Sequence, residues 1–146
     1  MSKIVSPLTN DIVRKVMIEM GIRTRPSIID GTNFPCIAAS QEGNEFISYI
    51  QQGELLGFQA IVKSPQPGFR DVASHWNNNR WFTKTLTHKD GYCLRSEVDV
   101  KFGVTLEHLE AQIDTFTSSL SELFDWVQGP GPRGALPRPA ANSASR

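Results

Sequence analysis

The chain has few cysteines, no excess of either charge and no long apolar run. Two cysteines in 146 residues exclude the disulfide framework that holds many small secreted domains together. Basic and acidic residues both number 15, so a nucleic-acid binder that works by bulk positive charge is not expected. No stretch approaches the ~18 apolar residues of a membrane span, and residues 1–15 lack the apolar core of a secretion signal. We therefore expect a cytoplasmic protein that contacts no membrane.

The motifs that mark common catalytic and metal sites are also missing. There is no G-x-x-x-x-G-K-[ST], no G-x-G-x-x-G after a predicted strand, no G-x-S-x-G and no H-E-x-x-H. The three histidines are dispersed, and no C-x-x-C or H-x-x-x-H pair occurs. Cys36 and Cys93 lie in strand-like runs, where a buried, inert thiol is the ordinary outcome. We predict no catalytic residue, metal or cofactor, and an enzyme with a dispersed active site ranks last.

The neutral total hides an uneven charge distribution along the chain. Residues 1–104 hold twelve basic and ten acidic residues, residues 105–128 hold five acidic and no basic ones, and residues 129–146 hold three arginines and no acid. The last segment is rich in proline and glycine and has almost no large apolar side chain, so burial cannot offset the entropy of ordering it. We predict a folded domain over residues 1–128 and a disordered Pro/Gly/Arg tail over 129–146.

Apolar spacing predicts three helices. The first starts near Ser6-Pro7 and ends at Gly21, and a short second one over residues 69–76 ends in an asparagine cluster. The third, over residues 106–127, follows Thr105 as its capping residue. Its apolar seam, with spacings of 3 and 4, is expected to pack on the protein's own sheet, while a dimerisation or client-binding stripe is the alternative.

Two groups of strands separate the predicted helices. Short apolar runs and turn residues between Ser27 and Val62 predict antiparallel strands. Asp90-Gly91 predicts a hairpin between the runs at 81–87 and 92–100, and the second run alternates apolar with charged residues, which indicates one wet face. The order α-βββ-α-ββ-α predicts an α+β two-layer sandwich in which helices cover one face of a five-stranded antiparallel sheet.

The polar face of the last helix carries acids without local partners. No Lys or Arg lies four residues from these carboxylates, and acids near a helix C-terminus oppose the helix dipole. We hypothesise that the tail, through Arg133 and Arg138, shields this face and competes with a protein partner. The candidate protein-binding residues are Glu107, Glu110, Asp114 and Asp125.

Three aromatic residues, Trp76, Trp81 and Phe82, allow two interpretations. Aromatic side chains often anchor interfaces, which would make them a recognition cluster. Aromatic residues in alternating strands more often belong to the core, which is the favoured interpretation here.

Several short sequence features follow one another in a fixed order. They are the Trp76-Asn77 pair, the Arg80-Trp81-Phe82 run, the Asp90-Gly91 turn and a Gly103-Val104-Thr105 start to a long amphipathic helix. In this order they resemble the YbjN family. The resemblance covers residues 8–127. It departs from the family in the turn before the last helix, where Lys101-Phe102 precede a single glycine. The residues carried over from the family pattern, with a structural role, are Trp76, Asn77, Asp90, Gly91 and Gly103.

What the resemblance implies is a non-enzymatic bacterial protein. The fold would be similar to that of class I type III secretion chaperones, and the role would be sensory or stress regulation or chaperone-like protein binding. We expect a homodimer that binds a protein client by adding a segment to an exposed edge strand or by seating apolar side chains in a groove. The alternative is a small-ligand sensor with a pocket between the sheet and the helices.

Overall fold

The computed structural model describes residues 3–63, 76–78, 82–89 and 91–128. The predicted tail over 129–146, most of the predicted second helix, Trp81 and Asp90 lie outside the described residues. Residues 76–78 are helical. The elements, in chain order, are β1 (Ile4–Val5), α1 (Asn10–Glu19), β2 (Arg23–Ile28), β3 (Pro35–Gln41), β4 (Asn44–Gln51), β5 (Leu55–Lys63), β6 (Lys84–His88), β7 (Gly91–Asp99), β8 (Val104–Thr105) and α2 (Leu106–Gln128).

The large sheet has six strands in the order β2-β3-β4-β5-β7-β6, and every neighbouring pair is antiparallel. A separate two-stranded sheet joins β1 to β8. The predicted α+β class and the hairpin between β6 and β7 are confirmed, whereas the count of five strands is wrong. The sequence of β2, RTRPSI, lacks apolar alternation and therefore gives no strand signal. The strands β1 and β8 have two residues each, which is too short for a periodic pattern.

The first helix begins later than predicted. Ile4–Val5 is extended and pairs with Val104–Thr105, so the chain is still a strand just before Ser6-Pro7. The helix starts at Asn10, where the Thr9 hydroxyl accepts a hydrogen bond from the Ile12 amide at 3.3 Å. Its buried side chains join the core beneath α2.

The core lies between one face of the six-stranded sheet and the two helices. The ring of Phe116, on α2, stacks on Phe58 of β5 with centroids 5.2 Å apart, and it also contacts Phe46 of β4 at 5.5 Å. On either side of Phe58 in the register lie Ser48 and Ser96, both buried, whose small side chains leave room for the two rings.

The apolar seam of α2 is buried against the protein's own sheet from Leu109 to Val127, and only Leu106 at its start is 44% exposed. Thr105 caps this helix as predicted, because its hydroxyl accepts a hydrogen bond from the His108 amide at 3.0 Å. None of the described helices is long and apolar enough to cross a membrane.

The β6 edge of the sheet is held by the Trp76-Asn77 pair. The side-chain amide of Asn77 forms the two backbone hydrogen bonds that a neighbouring strand would form with Thr85. Its Oδ1 accepts from the Thr85 amide at 2.7 Å, and its Nδ2 donates to the Thr85 carbonyl at 2.9 Å. Trp76 is fully buried, donates from Nε1 to the Thr83 hydroxyl at 3.2 Å and packs edge-on against Trp126 of α2. Asn77 therefore supplies hydrogen-bond partners for the backbone of an edge strand. The sequence had predicted only that the asparagine cluster ends the second helix.

The opposite edge, β2, is also unsuited to strand addition. Pro26 stands in the middle of this strand and has no N–H to donate. Arg23 and Arg25 precede it on the same strand, and charged side chains on an edge disfavour pairing with another chain. Both edges of the six-stranded sheet are thus protected, by different means.

Replacing Asn77 with alanine should lower the free energy of unfolding by about 1–3 kcal/mol, because two backbone groups of Thr85 lose their partner. The newly open β6 edge should also increase self-association at high concentration. Urea unfolding and analytical ultracentrifugation measure the two effects. Asn78→Ala, at the exposed neighbouring position, is the matched control and should change neither; equal effects of the two substitutions would contradict the role of Asn77.

Candidate functional site

The face of the sheet that points away from α1 and α2 is covered by none of the described helices. We call it the outer face. Its members alternate along each strand with the core residues and follow from the strand register. In strand order from β2 to β6 they include Arg23, Arg25, Ser27, Cys36, Ala38, Ser40, Glu45, Ile47, Tyr49, Gln51, Leu55, Gly57, Gln59, Ile61, Lys63, Cys93, Arg95, Glu97, Asp99, Lys84 and Leu86.

A shallow concavity of about 960 Å³ lies on the outer face across β2 to β5. Small and apolar side chains from Cys36 and Ala38 to Ile47 and Ile61 line it. Its charged lining groups are Arg23, Arg25, Lys63, Glu45 and Asp30, three cations against two acids. The concavity is therefore an apolar floor with a charged rim.

An exposed apolar strip continues from this floor toward β6. Ile61 and Leu86 are both paired in register with Cys93, so the three side chains form one cross-strand row. Ile61 is 41% exposed and Leu86 50% exposed. A wet sheet face ordinarily carries polar side chains, and an apolar row beside a concavity is typical of a surface that contacts another molecule.

One corner of the outer face is rigid. The ring of Tyr49 lies directly over Gly57, where a Cβ atom would collide with the ring carbons. The Tyr49 hydroxyl forms a hydrogen bond with Arg95, and this bond is the main cause that raises the pKa of the Arg95 guanidinium. Arg95 also lies 3.5 Å from the Glu97 carboxylate. The Arg95 charge is thus already engaged within the sheet.

Both cysteines lie on the outer face, and both are free and almost fully buried. Desolvation is the largest effect on each and raises both thiol pKa values above the usual range. For Cys36 a hydrogen bond with Ser27 and the charge of Arg25 oppose the rise, and for Cys93 the charge of Arg95 does so. The thiols are protonated near neutral pH and behave as small apolar groups.

The four acidic residues predicted as a binding site lie on the exposed side of α2, away from the sheet. Glu107, Glu110 and Asp114 fall within about 10 Å along the helix, but Asp125 is about 16 Å further on. None of them forms an ion pair with another described residue. The structure thus places three of the four together and separates Asp125 from them.

The remaining residues of the family pattern lie at strand ends and turns. At Gly103, φ is +95°, and a Cβ atom would come within 2.9 Å of the Val5 carbonyl oxygen, so this turn requires glycine where it meets β1. Gly91 opens β7 and pairs with Lys63 and with His88.

The turn before Gly103 also presents Phe102, a large exposed residue that the sequence analysis did not single out as a contact. Its side chain is 85% exposed, and the ammonium of Lys101 lies 5.6 Å from its ring centroid. The Lys101 amide donates to the Asp99 carboxylate at 2.9 Å, which fixes the turn.

Among the described residues, no three His, Cys, Asp or Glu side chains lie close enough together to hold a metal ion. The sequence did not predict the outer face as a binding surface. Its central strands carry apolar residues on both faces, and this pattern predicts burial. The alternation in β7 predicted one wet face of the sheet, and its charged residues Arg95 and Glu97 do lie on the outer face. The apolar character of this face was signalled by the β5 sequence, LLGFQAIVK, which keeps apolar residues on both faces.

Comparison with known proteins decides the family. The model of the YbjN family, described as "Putative bacterial sensory transduction regulator", matches residues 10–129. This chain is a member of the YbjN family. Its structure is similar to the crystal structure of YbjN from E. coli, described as "a putative transcription regulator", with a TM-score of 0.54 and 16% sequence identity over 86% of this chain and 91% of that one. A search of curated proteins finds no match. The structural likeness to E. coli YbjN supports the α+β fold of the YbjN chain, and at this identity it supports the fold alone.

Substituting Gly57 with alanine should destabilise the fold by about 1–3 kcal/mol, because the new methyl group must displace the Tyr49 ring. In a Tyr49→Ala background the three atoms nearest to the new methyl group are gone, so its cost should fall markedly. Urea denaturation of the four proteins in this double-mutant cycle measures the coupling. Additive effects of the two substitutions would show that the ring does not occupy the space above Gly57.

The raised thiol pKa values predict slow alkylation. At pH 7 both thiols should react with iodoacetamide more slowly than N-acetylcysteine, because a raised pKa leaves less thiolate and burial limits access. The rate should climb as the pH rises beyond 9 and should match that of the free thiol in urea. Mass spectrometry on Cys36→Ser and Cys93→Ser resolves the two sites. Reaction at pH 7 as fast as the free thiol would contradict the assignment.

Proposed function

We propose that this YbjN protein is a non-enzymatic regulatory module that binds a partner protein through the outer face. The observation that carries the proposal is the apolar row of Ile61, Cys93 and Leu86 beside the concavity, in which Ile61 and Leu86 are exposed on either side of the buried Cys93. Its position supports docking because an apolar row loses its contact with water only when another molecule covers it. The family's description as a sensory transduction regulator favours a regulatory role over catalysis.

The protected edges support binding on the face of the sheet. Asn77 occupies the β6 edge, and Pro26 with the two arginines that precede it disfavours pairing at β2. Of the two mechanisms expected from the sequence, seating side chains in a groove therefore fits the described residues better than strand addition. A chaperone-like action, in which the protein holds an unfolded segment of a client, is one form of this binding.

The small-ligand sensor is the second candidate, and the packing of the core disfavours it. The space between the sheet and α2 contains fully buried side chains, among them Phe58, Phe116 and Ile113. The two phenyl rings are in direct contact. The concavity lies on the other side of the sheet and is open, which fits a polypeptide better than an enclosed metabolite.

The acidic residues of α2 stay a second, separate proposal. Glu107, Glu110 and Asp114 could bind a basic segment, and the predicted tail over 129–146 would compete for them through charge. Binding in the cytoplasm and a homodimer are likewise predictions that accompany the proposal. Truncation after residue 128 tests the tail: it should change partner affinity in a salt-dependent manner, and an unchanged affinity at low salt would contradict it.

Ile61→Asp should weaken partner binding by about tenfold or more, because it places a charge where the apolar row meets the concavity. Ile18→Asp, which changes an isoleucine on α1 that is 53% exposed, is the matched control and should bind as the unchanged protein does. Affinity capture from the native host with quantitative mass spectrometry should find one partner retained by the control and lost by Ile61→Asp. Circular dichroism checks that both variants fold. Equal retention by the two variants would contradict the proposed surface.

A further inference from the structure

The chemistry of the partner follows from the charges at the β2 end of the outer face. Arg23 and Arg25 are two residues apart on one strand, so both guanidinium groups lie on the same face. Both are exposed, and their cross-strand neighbours are Ser40 and Ala38, which carry no charge. Neither arginine forms an ion pair with any described residue.

The cations toward the other end of the face are engaged. Arg95 is bonded to Tyr49 and lies 3.5 Å from the carboxylate of Glu97. The Lys84 ammonium donates to the Asn77 carbonyl at 3.0 Å. Lys63, at the end of β5, also has an interaction partner. The positive charge available to a ligand is therefore concentrated at β2.

Two acidic residues of the concavity, Glu45 and Asp30, restrict where a carboxylate of a partner can bind. Glu45 pairs in register with Ser40, which in turn pairs with Arg23, so Glu45 lies two strands from that arginine, or about 10 Å. Asp30 follows the end of β2 and lines the concavity with it. Glu45 would repel a carboxylate from the middle of the face, which leaves the β2 edge as the position for an acidic group.

The strand order also gives the distances between the arginines of β2 and the exposed apolar residues Ile61 and Leu86. Neighbouring strands are about 4.8 Å apart, so β2 and Ile61 on β5 are about 14 Å apart, and β2 and Leu86 on β6 about 24 Å apart. An extended segment covers about 14 Å in about four residues and about 24 Å in about seven. An α-helix needs about nine residues for the shorter distance and about sixteen for the longer one.

We propose that the outer face binds a peptide segment of a partner protein that is acidic at one end and apolar at the other, with its carboxylates on Arg23 and Arg25 and its apolar side chains on Ile61 and Leu86. This inference rests on the proposed function and specifies its partner. Arginine pairs carboxylates in a bidentate manner, so the β2 end sets the direction of the segment, while the apolar row supplies burial.

The test uses a phage-displayed library of random 16-residue peptides selected against the full chain. Peptides that bind should combine Asp or Glu with large apolar residues at the distances given above. Their affinity, measured by fluorescence anisotropy, should fall tenfold or more for Arg23→Glu/Arg25→Glu at 50 mM salt, and the loss should shrink at 500 mM salt. Lys3→Glu/Lys15→Glu changes the net charge equally at exposed positions away from the outer face and should stay within twofold. Selection on Arg23→Glu/Arg25→Glu should favour Lys and Arg in place of the acids.

The outcomes separate this inference from the proposed function. Selected peptides that depend on Ile61 but carry no acidic bias and tolerate the arginine reversal would overturn the inference and leave the proposed function standing. Peptides that tolerate both Ile61→Asp and the arginine reversal would count against both. A concentration-dependent dimer abolished by Ile61→Asp would show that a second copy fills the face. Binding of a labelled 24-base-pair DNA duplex that is lost on the arginine reversal would assign the arginines to phosphate; either result overturns the inference.

Discussion

The stacking of Phe116 on Phe58 is the contact on which the rest of the arrangement depends. It fixes α2 to the middle strands of the sheet, with Phe46 closing one side of the ring pair. Because side chains alternate along a strand, the choice of Phe58 as a core residue sends Gly57 and Gln59 to the other face. One aromatic contact on α2 therefore determines which side of the sheet is core and which side is available to a partner.

The edges of the sheet carry the second constraint. A six-stranded antiparallel sheet has two edges at which a foreign strand could pair, and in this chain each is protected by local chemistry. The Asn77 side chain bonds the Thr85 backbone as a neighbouring strand would. The preceding residue, Trp76, packs against Trp126 on the last helix. The residue pair that carries the family resemblance thus joins the edge of the sheet to its helical layer. Pairing with other strands is disfavoured at both edges, which supports the proposal that a partner binds the outer face.

The parts of the fold that the sequence predicted are those encoded by neighbouring residues. The capping of α2 by Thr105, its buried seam and the hairpin of β6 and β7 all depend on residues close together in the chain. The insertion of β7 between β5 and β6 depends on contacts between distant residues, which no local pattern contains. The candidate site was missed for a related reason: an apolar residue such as Ile47 or Ile61 predicts burial, and only the position of α2 shows that none of the described helices covers its face.

The two cysteines help to decide between chemistry and binding on this surface. A nucleophilic thiol requires a lowered pKa, and the cationic neighbours Arg25 and Arg95 do act in that direction. Desolvation outweighs them at both positions, so Cys36 and Cys93 keep their protons. The same burial that makes the thiols unreactive makes them suitable floor residues, since a protonated thiol is small, weakly polar and readily covered. A surface in which arginines stand beside inert thiols is therefore suited to holding a carboxylate next to an apolar side chain, and this is the combination that a regulatory peptide segment can supply.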